Sequence, residues 1–153
     1  MNAPPFLIHE ATPQDLQPIQ AFLTANKLRP SIEISVDSLY YYIKDGEQLI
    51  ATIGAEFNDR YALIRAAGVA QPWRRQGIAN ELFQKLVTEL EKRGIVDLYL
   101  FSRQAAEFWT AMGFSKCSIQ EVIDVLPGTP QVKEFIADNS IWTDVAWTNR
   151  QKI

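Results

Sequence analysis

Residues 61–101 pass from a β-rich run through a basic loop into a helical stripe and out into a second apolar run. The spacing predicts a strand over residues 61–70 and a helix over residues 76–93. In the helix Ile78, Leu82, Leu86 and Leu90 share one stripe, broadened by Phe83 and Val87. Lys92 and Arg93 fill its last turn, and Gly94 stops it. Residues 95–101 form an apolar run of strand length, as expected of a strand buried on both faces. A strand, a helix and a strand in this order make a parallel crossover. The fold class is therefore α/β, of mixed α+β character.

The flanking segments fill out a sheet. Residues 6–9 read as a short first strand. Asp15 follows as a candidate N-cap, and an amphipathic helix built on Leu16, Ile19, Phe22 and Leu23 ends near Asn26. Pro18 falls in its first turn, where the missing N–H is tolerated. Residues 31–39 mix an apolar alternation with Glu33 and Asp37 and read as a short helix or an irregular segment. Residues 40–43 and 48–57 flank a hairpin turn at Lys44-Asp45-Gly46-Glu47. Asn58-Asp59-Arg60 turns the chain into the strand of residues 61–70, which makes a three-stranded antiparallel meander. Downstream, residues 104–112 fit another helix, ended by Gly113. A stretch punctuated by Pro127, Gly128 and Pro130 has no clear period, and residues 141–148 read as a closing strand.

The composition narrows the partners. With 153 residues and 47% apolar side chains, the chain has room for one core, so residues 1–153 are expected to form a single domain. A net charge of -3 offers no basic field for nucleic acid or for an anionic membrane surface, and no stretch is long enough to span a bilayer. A cytoplasmic protein acting on a small molecule is the expectation. Cys117 is the one cysteine and His9 the one histidine, so neither a disulfide nor a metal site is expected, and His9 reads as a solvent-edge residue. Trp142 and Trp147 fall on opposite faces of the closing strand, so that one of them would be exposed and would suit the subunit contact of a homodimer.

The chemistry is concentrated where the strand of residues 61–70 hands over to the long helix, at Arg74-Arg75-Gln76-Gly77-Ile78-Ala79-Asn80. The start of a helix offers free N–H groups and a partial positive charge, which suit a phosphate. Gly77 lets the backbone approach an anion closely, Ala79 keeps the first turn open, and Arg74 and Arg75 add charge. Alone, the stretch also reads as a basic loop before an ordinary helix. Preceded by Val69-x-x-Pro72, Arg74-x-x-Gly77-x-Ala79 resembles the Arg/Gln-x-x-Gly-x-Gly/Ala signature of the GNAT acetyltransferases. Ala105-x-x-Phe108-Trp109-x-x-x-Gly113-Phe114 is similar to the later helix of that family, and Asp15-Leu16 fits its opening. The resemblance covers about residues 6–114. The narrower look of residues 62–65 and 98–109 is that of the short amino-acid N-acetyltransferases, including those encoded with arsenic-resistance genes.

The resemblance implies a mixed sheet of six to seven strands with flanking helices, splayed between the strand ending near Val69 and the strand ending near Phe101. Acetyl-coenzyme A would be the co-substrate, with no metal. Backbone groups of Val69 and Gln71 would bond its pantetheine arm. Arg74 and the N–H groups of Arg75, Gln76, Gly77, Ile78, Ala79 and Asn80 would take its pyrophosphate, with Phe108 and Trp109 in contact. A primary amine of a small molecule, an amino acid or an amino-acid-like toxin, would attack the acetyl group directly. A peptide acceptor and a non-catalytic coenzyme sensor are the alternatives.

Two departures from the family pattern bear on the proton chemistry. Trp109 stands where many members have the Tyr that protonates the departing thiolate, and an indole N–H is no proton source near neutral pH. Trp109 then packs in the core or touches the coenzyme. A thiol with a pKa of ~8.5 still leaves acceptably as thiolate, and Ser102 is the candidate to hydrogen-bond it. Residues 61–69 contain no carboxylate, so Glu56 is the candidate base; otherwise it is an exposed rim carboxylate. Arg65, in a strand expected to be buried, needs an anion. Glu56 supplies it if a two-residue loop at Asn58-Asp59 puts both on one face. With a three-residue loop they face opposite sides, and Arg65 is then free to bind an acceptor carboxylate. Tyr40-Tyr41-Tyr42 alternates along its strand, which places the rings in sheet packing or, for Tyr42, against the acceptor.

Overall fold

A computed structural model describes residues 6–150. The chain runs β1 (Ile8–Glu10), α1 (Leu16–Ala25), β2 (Ser38–Asp45), β3 (Gln48–Phe57), β4 (Tyr61–Val69), α2 (Ile78–Lys92), β5 (Asp97–Phe101), α3 (Ala106–Ala111), β6 (Ser115–Cys117), α4 (Ile119–Val125), α5 (Pro130–Ala137) and β7 (Ala146–Asn149). The strands form one seven-stranded mixed sheet in the order β1-β2-β3-β4-β5-β7-β6. The expected crossover is present: β5 lies parallel to β4, with Tyr61 opposite Asp97 and Ile64 opposite Leu100. β7 is antiparallel to both β5 and β6.

The residues divide into two compact units, one running to Gly54 and resuming over Ala66–Leu86, the other formed by Ala55–Arg65 and the chain from Val87 onward. In the first unit, Ile19, Phe22 and Leu23 of α1 pack with Tyr40 and Tyr42 of β2 and with Ile32. Gly54 is needed for this packing, because a Cβ there would stand 2.1 Å from the Tyr40 ring. Asp15 begins α1, but its carboxylate turns back to accept from the Thr12 N–H at 2.8 Å, capping the 3-10 turn Pro13–Asp15. Of the two expectations for residues 31–39, the irregular one is realised as far as Asp37, and β2 starts at Ser38, whose hydroxyl donates to Glu33 O at 2.8 Å.

In the second unit, Val122, Leu126, Val132, Phe135 and Ile141 gather around Leu63 and Tyr99. Most of these come from α4 and α5, two helices that occupy the stretch for which the sequence showed no period. Ser118 caps α4 by accepting from the Glu121 N–H at 3.1 Å, and Pro130 takes the first position of α5. The closing strand is shorter than expected. Residues Ile141–Thr143 form a 3-10 turn, and β7 begins only at Ala146. Trp142 is 58% exposed and Trp147 4%, but Trp142 lies in the turn, so strand alternation is not the cause.

β4 carries a local distortion. Ala66 has φ +57, a left-handed conformation for a residue with a Cβ, and Thr52 Oγ1 donates to its carbonyl at 2.7 Å. Thr52 is 2% exposed, so the bond is shielded from water. Thr52→Val preserves the shape and deletes the donor. It is expected to cost about 1–2 kcal/mol, read as a lower urea midpoint; an unchanged midpoint would mean that the distortion holds itself.

Candidate active site

The loop after β4 is built by successive turns. Trp73 N–H donates to Ala70 O at 2.8 Å within a 3-10 turn over Gln71–Trp73, and Phe6 packs edge-on against the Trp73 ring at 5.6 Å. Arg74 is extended, and its Nε donates to Val69 O at 2.8 Å, so this side chain closes the loop onto the end of β4. Arg75 has φ +66 and Gly77 φ +80. The first helical bond of α2 runs from Glu81 N–H to Gly77 O at 3.1 Å, which leaves the N–H groups of Ile78, Ala79 and Asn80 without an intrahelical acceptor. A left-handed residue followed by a right-handed one turns consecutive N–H groups to one side and makes an anion-binding concavity. Gly77 is exposed, and a Cβ there would meet nothing within 4 Å. Conformation, not space, demands glycine at this position. Gln76 and Asn80 are exposed beside it.

In the second unit, Trp109 is 6% exposed and sits edge-on between Phe108 at 4.9 Å and Phe114 at 5.4 Å. That packing places it in the core. Phe108 remains half-buried at the start of the same helix. Ser102 is held at three points: its N–H donates to Val145 O at 2.8 Å, its carbonyl accepts from Trp147 Nε1 at 2.9 Å, and its hydroxyl donates to Gln104 O. The hydroxyl thus serves its own turn.

Glu56 and Arg65 are brought together. Asn58 N–H donates to Tyr61 O at 3.0 Å, while its side-chain oxygen accepts from Arg60 and Tyr61 N–H, so the turn is a two-residue connection at Asp59-Arg60. This is one residue later than the two-residue loop considered from sequence, and it has the same parity. Glu56 and Arg65 share a face. Arg65 Nη1 donates to Glu56 Oε2 at 2.8 Å, and the two residues are 5% and 1% exposed. Glu56 is therefore no rim carboxylate. Its other oxygen accepts from the Gln131 N–H at 2.9 Å, at the N-terminus of α5, where the helix dipole favours negative charge. Gln131 was not singled out in the sequence; Pro130 opening a helix is the signal that could have pointed to it.

Tyr42 lies in the first unit's core with 7% exposure. Its hydroxyl donates to Asp15 Oδ1 at 3.2 Å, and its ring stacks on His9 at 5.1 Å. Burial, followed by the charge of Asp15, raises the phenol above its ordinary range. His9 is half-buried under that ring rather than free at the solvent edge. Among the described residues no group of three or more His, Cys, Asp or Glu could hold a metal ion, and no helix is long and apolar enough to cross a membrane.

The profile of the acetyltransferase (GNAT) family matches residues 7–114. No curated protein matches the chain at a significant level. Among solved structures, Rv2747 from Mycobacterium tuberculosis, a CoA complex, is similar with a TM-score of 0.70 at 11% identity, over 95% of this chain and 99% of that one. N-acetylglutamate synthase from Neisseria gonorrhoeae, complexed with coenzyme A and N-acetyl-glutamate, gives a TM-score of 0.71 at 15% identity, over 99% of this chain but 37% of its own. The ribosomal-protein-S18-alanine N-acetyltransferase from Escherichia coli gives 0.64 at 20% identity, over 73% of this chain and 79% of that one.

Proposed function

Because the chain belongs to the GNAT acetyltransferase family, and is therefore an acyl-coenzyme A-dependent transferase, we propose that it moves an acetyl group from acetyl-coenzyme A to the primary amine of a small molecule. The observation that carries this reading is the turn through Arg75 and Gly77 in front of α2, whose first N–H groups have no helical acceptor and suit a pyrophosphate. Arg75 adds charge there, while Arg74 fixes the loop to Val69. The acceptor amine attacks the thioester carbonyl directly, so the protein contributes mainly by holding both reactants in line.

The proton path follows from what the side chains are already doing. Glu56 is committed to Arg65 and to α5, and we assign it to holding that pair rather than to taking the amine proton. The acceptor enters as the neutral amine and passes its excess proton to solvent. Trp109 is buried among phenylalanines and Ser102 bonds Gln104, so the thiolate leaves without a side-chain acid. The likeness to N-acetylglutamate synthase supports a small amine acceptor, while that to the S18-alanine enzyme supports a peptide.

Thiol release from acetyl-coenzyme A, measured against small primary amines and against peptides, separates the two. Turnover is expected with small amines. Turnover confined to peptides would replace this reading, and coenzyme binding with no release against either panel would overturn both.

A further inference from the structure

Arg74 and Arg75 stand side by side in the exposed loop before α2, and the chain uses them differently. Arg74 has extended backbone, with φ -71 and ψ 158, and its Nε donates at 2.8 Å to the carbonyl of Val69, the last residue of β4. Arg75 is left-handed, with φ +66, and no hydrogen bond or ion pair engages its side chain among the described residues. One cation is folded back against the strand, and the other is free.

The turn between them and α2 needs a brace. Arg75 carries a Cβ in a conformation that opposes it, and residues 74–77 are all exposed, so packing does not impose the shape. A second side-chain bond within the loop, from Gln76 Nε2 to Pro72 O, is 3.5 Å long and correspondingly weak. The short Arg74 bond therefore ties the start of the turn to the end of a strand, immediately ahead of Arg75 and Gly77. Its requirement is narrow. Val69 O is a neutral backbone acceptor, so an N–H at the position of Nε satisfies it without a full charge. Glutamine also carries a donor nitrogen on Cδ, whereas lysine keeps the charge but carries it one bond farther out.

We propose that Arg74 is a positioning residue of the coenzyme site: its Nε–H acts through Val69 O to hold the turn that gathers the N–H groups at the start of α2, and Arg75 supplies the charge that attracts the pyrophosphate. The proposal rests on the reading of this turn as the coenzyme site and assigns its two arginines separate tasks. It replaces the direct phosphate contact that the sequence suggested for Arg74.

The test measures the dissociation constant of coenzyme A by calorimetry for Arg74→Gln, Arg74→Lys, Arg74→Leu and Arg75→Gln, in about 0.1 M and about 0.5 M KCl, over which the Debye length falls from ~10 Å to roughly 4 Å. Arg74→Leu deletes the bond. It is expected to weaken binding about 5- to 10-fold at both salt concentrations, because a hydrogen bond is shorter than either screening length. Arg74→Gln is expected to stay within about 2-fold of the wild type, and Arg74→Lys to resemble the leucine variant. Arg75→Gln should weaken binding at low salt and lose most of that deficit at high salt. The loop is exposed, so the urea midpoint of all four variants should match that of the wild type.

Rescue by glutamine at both salt concentrations supports the proposal. Arg74→Gln binding as weakly as Arg74→Leu, with Arg74→Lys close to the wild type, would make Arg74 a charged phosphate ligand and overturn the proposal while leaving the coenzyme site intact. An Arg74→Leu deficit that vanishes at high salt, or no deficit at all, overturns it in the same way. Failure of the wild-type protein to bind coenzyme A, or binding that Gly77→Val leaves unchanged, removes the coenzyme reading of the turn and the proposal with it.

Discussion

Gly77→Val is expected to lower kcat/KM for acetyl-coenzyme A about 100-fold, roughly 2.7 kcal/mol of binding, with little change in the urea midpoint. Gly77 has φ +80, which a β-branched side chain resists strongly, and the loop would relax to a conformation that no longer gathers the N–H groups at the start of α2. The fold itself loses little, because the residue is exposed and a Cβ meets nothing within 4 Å. Gly77→Asn supplies the control. Asparagine also adds a side chain but visits the left-handed region readily, so it should retain much more activity than valine. Thiol-release kinetics decide the matter: equal losses for valine and asparagine would point to bulk at the coenzyme and away from backbone conformation.

Glu56→Ala is expected to destabilise the protein by about 3–5 kcal/mol, because it leaves a buried guanidinium without its anion and strips the Gln131 N–H of its acceptor. That is a large share of the ~5–15 kcal/mol that holds a typical domain together. Should the single variant fail to fold, Glu56→Leu combined with Arg65→Met removes both charges. The pair variant should recover most of the loss, since well-packed apolar residues often match a buried ion pair. Urea denaturation of the two proteins gives the comparison. Equal stability of Glu56→Ala and wild type would show that the Arg65 charge finds relief elsewhere.

The legible parts of the fold were those whose signal is local. β3 has the expected limits, and α2 lies within two residues of its predicted bounds because Ile78, Leu82, Leu86 and Leu90 repeat the same stripe turn after turn. α4 and α5, of 7 and 8 residues, are too short for a period to emerge. Their apolar residues make one face only when packed on Leu63 and Tyr99, and Pro127, Gly128 and Pro130 read as breaks although Pro130 opens a helix. The same distinction runs through the site. The loop from Arg74 to Asn80 could be read from spacing, since its function depends on consecutive backbone groups. The partners of Glu56 could not. One depended on whether the hairpin turn held two residues or three, and the other, Gln131, bonds Glu56 from 75 positions away. Tyr42 could be placed on a strand but not on a face, and its attachment to Asp15 is likewise tertiary.

The position of β7 has a consequence for how the second unit comes into being. β6 bonds to β7 and not to β5, and β7 lies between them, with Leu100 opposite Trp147 and Lys116 opposite that same residue from the other side. During synthesis β5 and β6 are both complete long before the strand that joins them has been made. Until Ala146–Asn149 leaves the ribosome, the edges of β5 and β6 that it will join wait unpaired. Residues Ala146–Asn149 therefore act as a late closure of this part of the sheet, and the interval before they arrive is when a nascent chain is most exposed to mispairing and to chaperone capture.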